Sequence, residues 1–423
     1  MSTRSTKKNK QVSQKNGIEL IPFFLYGSIT VMIYRQLCLA ILVCVCAVGR
    51  LAAAPVIDAE AAKQIDRVVN EAIAARKAPN CCVVIGTGSK TLFAKAYGRF
   101  TYDMDAPAAT LDSRYDLASC SKATGTAIAL AVLIQNDKIK LDDPVSKYLP
   151  SWNRDDKRSI TVRNLATHTS GLPAYTSVDR AEKGKKSGES NADALIHCIA
   201  SLPLQYETNK GYKYSCLNFL TLARVNEEAS GLSQEALLRD NIWEPLGMKN
   251  TGYYFSDADK KLCVPTLVKR QGDVHDPLAY YYRDKYHCPG NAGLFSSAND
   301  LSSLCRMMIN DGKTGSKQIL RPDIVEMFFA NQARGVDGYA WGMGWGISDN
   351  KRYPAPAVRT SKTAAISHSG YTGTYIELDR YSGTYTIILT NRVYPNDNTS
   401  ITSIRVGVRK VVLDTDPLYA TKK

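Results

Sequence analysis

The feature that most constrains this chain is the run Ala123-Thr-Gly-Thr-Ala-Ile-Ala-Leu-Ala-Val-Leu-Ile134. It contains no charge and nothing more polar than two threonines, so no face of it is suited to water. A helix that is apolar all round is a buried one. The run therefore predicts a central helix around which the rest of the chain packs. Ser119 stands just before it, and Lys122 follows about one turn on and on the same side.

The flanking patterns say what surrounds that helix. Residues 58–77 carry apolar positions at three-and-four spacing, an amphipathic helix stopped by Pro79. Cys82–Thr87 and Thr91–Tyr97, joined by Gly88-Ser-Lys90, read as a β-hairpin. Beyond Leu141 come short helices and long loops punctuated by Pro144, Pro150, Pro173, Pro203, Pro245, Pro265, Pro277 and Pro289. Strand patterns return at Ala364–Ser369, Gly373–Asp379 and Thr384–Asn391, and a last helix is predicted over roughly Ser400–Leu413. The two ends together predict an α/β (α+β) fold: one antiparallel sheet flanked by helices, with a mostly helical domain inserted. The sheet portion is expected over about 55–140 and 360–423, the helical portion over about 141–359, with a site in the cleft between them.

Residues 1–54 read as a targeting segment. They hold seven Lys/Arg against the single acid Glu19, two apolar stretches (Ile18–Tyr34 and Leu37–Gly49), and small residues at Ala52 and Ala54 suited to cleavage. Translation from Met32 would give a signal segment of ordinary proportions, and export. An uncleaved anchor using both stretches is the alternative, and the one route by which the chain would meet a membrane. The remainder has 47 basic and 39 acidic residues, a modest net +8 with no basic patch interleaved with aromatics, which argues against nucleic-acid binding. Eight cysteines follow residue 54. Adjacent Cys81 and Cys82 on one strand face opposite ways, and the rest lack zinc-site or disulfide-framework spacing, so buried thiols are expected.

Serine needs activation to act as a nucleophile near neutral pH, and a neutral lysine within hydrogen-bond reach supplies it. Moving a lysine from its usual value towards 7–8 takes about 4 kcal/mol of differential stabilisation. Burial beside the apolar helix is expected to supply part of this, and a neighbouring positive charge more. Two later stretches add partners. Gly211-Tyr-Lys-Tyr-Ser-Cys216 offers Tyr214 at the start of another apolar helix, and His368-Ser-Gly-Tyr-Thr-Gly373 offers a histidine at a strand end.

Ser119-Cys-Ser-Lys122, Tyr214-Ser-Cys216 and His368-Ser-Gly370 resemble, in order, the three motifs of the serine hydrolases related to class C β-lactamases, DD-peptidases and family VIII esterases. In that family they read Ser-x-x-Lys, Tyr-x-Asn and Lys/His-x-Gly. The stretches 161–173, 290–300 and 339–345 fit as well, and the likeness spans about residues 60–415. The resemblance implies that Ser119 is acylated, that Lys122 accepts its proton, and that Tyr214 relays a proton to the leaving group. It also implies that His368 lines the cleft and orients either Tyr214 or a substrate carboxylate. The N–H groups of Ser119 and Tyr371 would form the oxyanion hole beside Gly370. The family uses no metal and no organic cofactor, and its substrates are small esters, β-lactams or peptidoglycan-type peptides.

Two positions depart from the family pattern. Cys216 replaces an asparagine that binds the substrate's amide, and a thiol is a weak donor and weak acceptor. His368 replaces the lysine of the strong lactamases. Both shift the expectation towards an esterase or D-alanyl-D-alanine carboxypeptidase-like activity and away from efficient β-lactam hydrolysis. A slowly deacylating penicillin- or peptidoglycan-binding sensor stays open as the alternative. Other tempting residues take structural readings: His168 fixes a loop, His275-Asp276 lacks further metal ligands, and Cys120 is explained by the serine motif. Trp341 and Trp345 stay divided between the cleft border and the core.

Overall fold

The computed structural model describes residues 56–348 and 360–420; the targeting segment expected over 1–54 lies outside them. Ala54–Lys423 forms one compact unit. Its centre is a six-stranded antiparallel sheet: β1 (Asn80–Thr87), β2 (Thr91–Gly98), β3 (Gly346–Ile347), β4 (Ala365–Ser369), β5 (Tyr375–Asp379) and β6 (Thr384–Leu389). The strand order is β2-β1-β6-β5-β4-β3, so the two ends of the chain meet at the β1–β6 pair, with Val83 opposite Ile388. The antiparallel sheet and its end-to-end assembly agree with the sequence expectation. The edge strand β3 was not foreseen: two residues carry no detectable alternation, and they fall inside the stretch expected to be helical.

Strand alternation sends β1 to two cores. Cys81, Val83 and Ile85 pack under helices α1 (Ala59–Ala74) and α4 (Thr402–Thr415), while Cys82 and Val84 face the larger core. Helix α1 buries Ala61, Ile65, Val69 and Ala72, the three-and-four stripe its sequence shows, and Asp58 caps it by accepting the Ala61 N–H at 2.8 Å. The eight described cysteines are free thiols, seven of them buried.

The predicted central helix is present and its interior is inaccessible: in α2 (Ala127–Gln135) every residue from Ala127 to Leu133 is buried. Its entry differs from a regular helix. Lys122–Thr126 forms a wide π-turn, closed by the Ala127 N–H on the Lys122 carbonyl. Threonine side chains hold this turn, Thr124 Oγ1 donating to the Cys120 carbonyl and Thr126 Oγ1 to the Gly290 carbonyl, each at 2.9 Å. Single π-turns inside helices occur often at functional sites. Helix α3 (Cys216–Ser230) packs against α2 and brings the second motif alongside it.

Candidate active site

Ser119 is placed by what precedes it. Ala118 has a left-handed backbone (φ 46°), unusual for a residue with a side chain. The Asp116 carboxylate stabilises it by accepting the Ala118 N–H at 2.8 Å, and also accepts the His275 N–H at 2.7 Å. Burial pushes the Asp116 carboxyl up to about 6, although these two N–H donors restrain the rise. The turn before strand β5 binds the same segment: Thr372 Oγ1 donates to the Asp116 carbonyl and Thr374 Oγ1 to the Leu117 carbonyl. Gly370 is needed for this approach, because a Cβ there would stand 2.4 Å from the Leu117 carbonyl oxygen and 2.1 Å from Thr374 Oγ1.

Three predicted residues meet at Lys122, which is wholly buried. Its Nζ donates to Ser119 Oγ at 3.0 Å, to the Asn291 carbonyl at 2.8 Å and to Cys216 Sγ at 3.5 Å, and lies 4.9 Å from the centre of the Tyr214 ring. Over a third of Tyr214 is exposed to the cleft, and its ring packs beside the Lys122 ammonium. Burial raises the phenol's pKa, with Lys122 opposing. Burial also disfavours the Lys122 ammonium, but Cys216 and Tyr214 hold its proton more tightly, and the balance lies above the ordinary lysine value. The sequence expectation was the reverse. The difference has a plain cause: the charged influences that outweigh burial at Lys122 come from groups that ionise as acids, Cys216, Tyr214 and Asp276.

His368 closes the other side, at the end of β4. Its Nδ1 donates to the Ser369 carbonyl at 3.0 Å, which leaves Nε2 as a lone pair with no described partner. Burial, helped by Lys122, pushes its pKa down to about 3, so it is a neutral imidazole at working pH. A neutral ring whose remaining nitrogen is an acceptor offers a carboxylate no donor, and the Tyr214 ring lies beside it, 6.0 Å between centroids. No described acceptor takes the backbone N–H of Ser119 or of Tyr371. Both donors are thus left available to an oxyanion.

An open cleft of about 1150 Å³ runs over these groups. Ser119, Tyr214, His368 and Trp341 border it, whereas Trp345 is wholly buried in the core. Three contributors were not singled out from sequence. Asn291 takes the Lys122 proton donor on its carbonyl, and Gly290 lets it in, since a Cβ there would meet the Phe219 carbonyl oxygen at 2.0 Å. Asp116 has only its position near Ser119 to mark it. Arg405 of α4 lines the cleft and pairs with no carboxylate among the described residues, its ring contact being Tyr375 at 5.6 Å. His275 and Asp276 have structural work: Asp276 caps the helix Pro277–Tyr282 and accepts the Asn291 amide at 3.0 Å.

Known proteins resemble this chain in sequence and in fold. The sequence model described as Beta-lactamase matches residues 65–407. A Salmonella heidelberg (strain SL476) protein named as a D-alanyl-D-alanine carboxypeptidase is 25% identical over 327 residues, covering 71% of this chain and 74% of its own. Among solved structures, EstCE1, described as a hydrolase with promiscuous acyltransferase activity, superposes with a TM-score of 0.66 at 22% identity. It matches 83% of this chain and 98% of its own. The class C beta lactamase from Rhodobacter sphaeroides gives 0.63 at 18% identity, over 82% and 98%. At such identities the two structures bear on the fold alone.

Proposed function

The chain belongs to the beta-lactamase family of serine hydrolases, and from that premise we propose that it hydrolyses an ester or amide through an acyl-enzyme on Ser119. The observation that carries this reading is the 3.0 Å contact between Lys122 Nζ and Ser119 Oγ, with the Tyr214 ring centred 4.9 Å from the same Nζ. With Lys122 charged and Tyr214 neutral, the resting pair holds one proton too many to act as base. Losing that proton, whether it leaves an amine beside a phenol or an ammonium beside a phenolate, creates one vacancy shared by the pair. Ser119 gives its proton to that vacancy as it attacks the carbonyl. The N–H groups of Ser119 and Tyr371 receive the oxyanion, and Tyr214 hands a proton to the leaving group. Water then reverses the sequence and frees Ser119.

Ester cleavage is the preferred chemistry. Cys216 is a poor anchor for an acyl amide, and neutral His368 gives a carboxylate no charge to meet. A second reading, D-alanyl carboxypeptidase-like cleavage, is favoured by Arg405, a cation in the cleft without an acidic partner among the described residues. Export, with cleavage near Ala54, is proposed from the pattern of residues 32–54.

The test incubates the purified protein with a short p-nitrophenyl ester, nitrocefin and a D-Ala-D-Ala peptide, following both product and intact mass. Ester turnover with a transient adduct on Ser119 is expected. A persistent adduct without turnover would instead identify the slow sensor. Turnover undiminished in Ser119→Ala would overturn the mechanism.

A further inference from the structure

His168 stands outside the three motifs, yet it touches both sides of Tyr214. Its carbonyl accepts the Lys213 N–H at 3.0 Å, and its ring Nδ1 accepts the Ser215 N–H at 3.1 Å. The residues immediately before and after the tyrosine are thus bonded to one side chain and its own backbone. The imidazole also lies against the Tyr214 ring, centroid to centroid 4.6 Å with the planes 40° apart.

The protonation state follows from the partners. Nδ1 is approached by the Ser215 N–H and, at 3.2 Å, by the Asn218 amide nitrogen. The Asn218 amide oxygen is occupied by the Ser170 hydroxyl at 2.6 Å, so it is the NH₂ end that faces the ring. Nδ1 is therefore an acceptor and the proton sits on Nε2. The ring is fully buried, and burial with Lys122 close by pushes its pKa well down, so this tautomer persists at working pH. Trp341 meets it edge-on at 5.1 Å and Phe219 lies at the same distance. The ring cannot swing away.

The backbone shows that this placement is held against a local preference. His168 has φ 60°, left-handed, a conformation histidine adopts uncommonly. It is kept by the Thr169 N–H on the Asn164 carbonyl and by the Tyr206 hydroxyl on the His168 carbonyl at 3.2 Å. The cap of the preceding short helix (Val162–Ala166), where Thr161 and Asn164 bond reciprocally, fixes the start of the turn.

We propose that His168 is a positioning residue for Tyr214: by bonding the Lys213 and Ser215 amides and packing on the tyrosine ring, it holds the phenol in the pocket beside Ser119 and Lys122. His168 does not touch the reacting atoms and exchanges no proton. Its effect appears in the acylation step, since small misplacements of a proton-relaying group lower the rate while leaving substrate binding nearly unchanged. The inference rests on the proposed role of Tyr214.

Three variants test it. His168→Gly accepts φ 60° without strain but removes the ring acceptor. His168→Asn also tolerates that backbone and returns an acceptor oxygen close to the Nδ1 position. Tyr214→Phe checks the role on which the inference rests. Thermal melting is recorded for each, and pre-steady-state ester cleavage is followed against pH. The expected result is a folded His168→Gly protein with kcat lowered by about 10- to 100-fold at nearly constant KM. Its alkaline limb should be displaced, and His168→Asn should recover most of the rate. Equal losses in both His168 variants, in step with melting temperature, would mean a merely structural role and overturn the proposal. Normal acylation in His168→Gly while Tyr214→Phe is slow would also overturn it. Unchanged acylation in Tyr214→Phe would instead remove the role assigned to the tyrosine.

Discussion

Acidification should destabilise the fold through His368, by an amount the structure sets. The folded imidazole titrates at about 3, whereas in the unfolded chain it would titrate near about 6.5. The unfolded state therefore binds the proton first as pH falls, and stability that is complete above about 6.5 is lost on the way down to about 3. The interval of about 3.5 units corresponds to about 5 kcal/mol in all, of which about 3 kcal/mol is gone by pH 4.5. Asp116 acts in the opposite sense. Its folded value of about 6 lies above the unfolded 3.8, so its buried charge costs stability above pH 6 and that cost is relieved on acidification. The raw acid profile mixes the two, and a paired comparison separates them. Urea unfolding of wild type and His368→Asn, followed by tryptophan fluorescence at pH 7.5, 6.0 and 4.5, isolates the histidine, because the asparagine carries no titrating proton. Relative to the variant, wild type should lose about 3 kcal/mol between pH 7.5 and 4.5. A difference between the two proteins that stays constant across this range would refute a neutral, buried His368.

Other consequences follow from the same contacts. Since Lys122 and Tyr214 are both held above their ordinary values, kcat/KM for a neutral ester should climb about tenfold per pH unit through neutrality; a plateau below pH 7 would show that the base is already formed. Cys216→Asn restores an amide beside Lys122 and should raise turnover of nitrocefin or an amide relative to the ester by about tenfold, the worth of one good hydrogen bond; an unchanged ratio would show that position 216 does not meet the acyl group. Gly370→Ala forces a Cβ against the Leu117 carbonyl and Thr374 Oγ1, and should cost about 1–3 kcal/mol in urea unfolding together with most ester turnover; wild-type activity there would remove the close approach of the β4–β5 turn to the Ser119 segment.

Sequence carried the site as far as residue type and order could. Ser119, Lys122, Tyr214 and His368 were legible because each stands at the start or end of a strongly patterned element, and the buried α2 fixed the plane on which they meet. The sheet was legible from runs that alternate or are apolar throughout, bounded by turn residues, in β1, β2, β4, β5 and β6, while β3, only two residues long, left no pattern to read. Electrostatics was the least legible part. The direction of the Lys122 shift depends on which groups stand opposite Nζ, and those come from positions 214 and 216, brought there by folding rather than by spacing. Arg405 was hidden for a related reason. It lies on an amphipathic helix that carries other polar side chains outside its buried stripe, and nothing in their spacing says which of them the sheet beneath α4 turns towards the cleft.

The two departures from the family motifs act together. A lysine at position 368 would place a second cation near Lys122, pushing the Lys122 ammonium and the Tyr214 phenol towards their deprotonated forms and increasing the supply of base at neutral pH. Neutral His368 provides no such field, and Lys122 remains a firm cation. A site with little free base acylates fastest where the substrate itself supplies the drive, that is, where the leaving group departs as a stable anion and needs no proton from Tyr214. Esters of acidic alcohols meet that condition and ordinary amides do not. The loss of the amide anchor at Cys216 points the same way, because it removes binding that an acyl amide would use and an ester would not. Replacing His368 with lysine and Cys216 with asparagine in one protein should therefore move selectivity towards amides by more than the product of the single changes, since one supplies the base and the other the grip. Strictly additive effects would separate the two positions and leave the preference for esters resting on Cys216 alone.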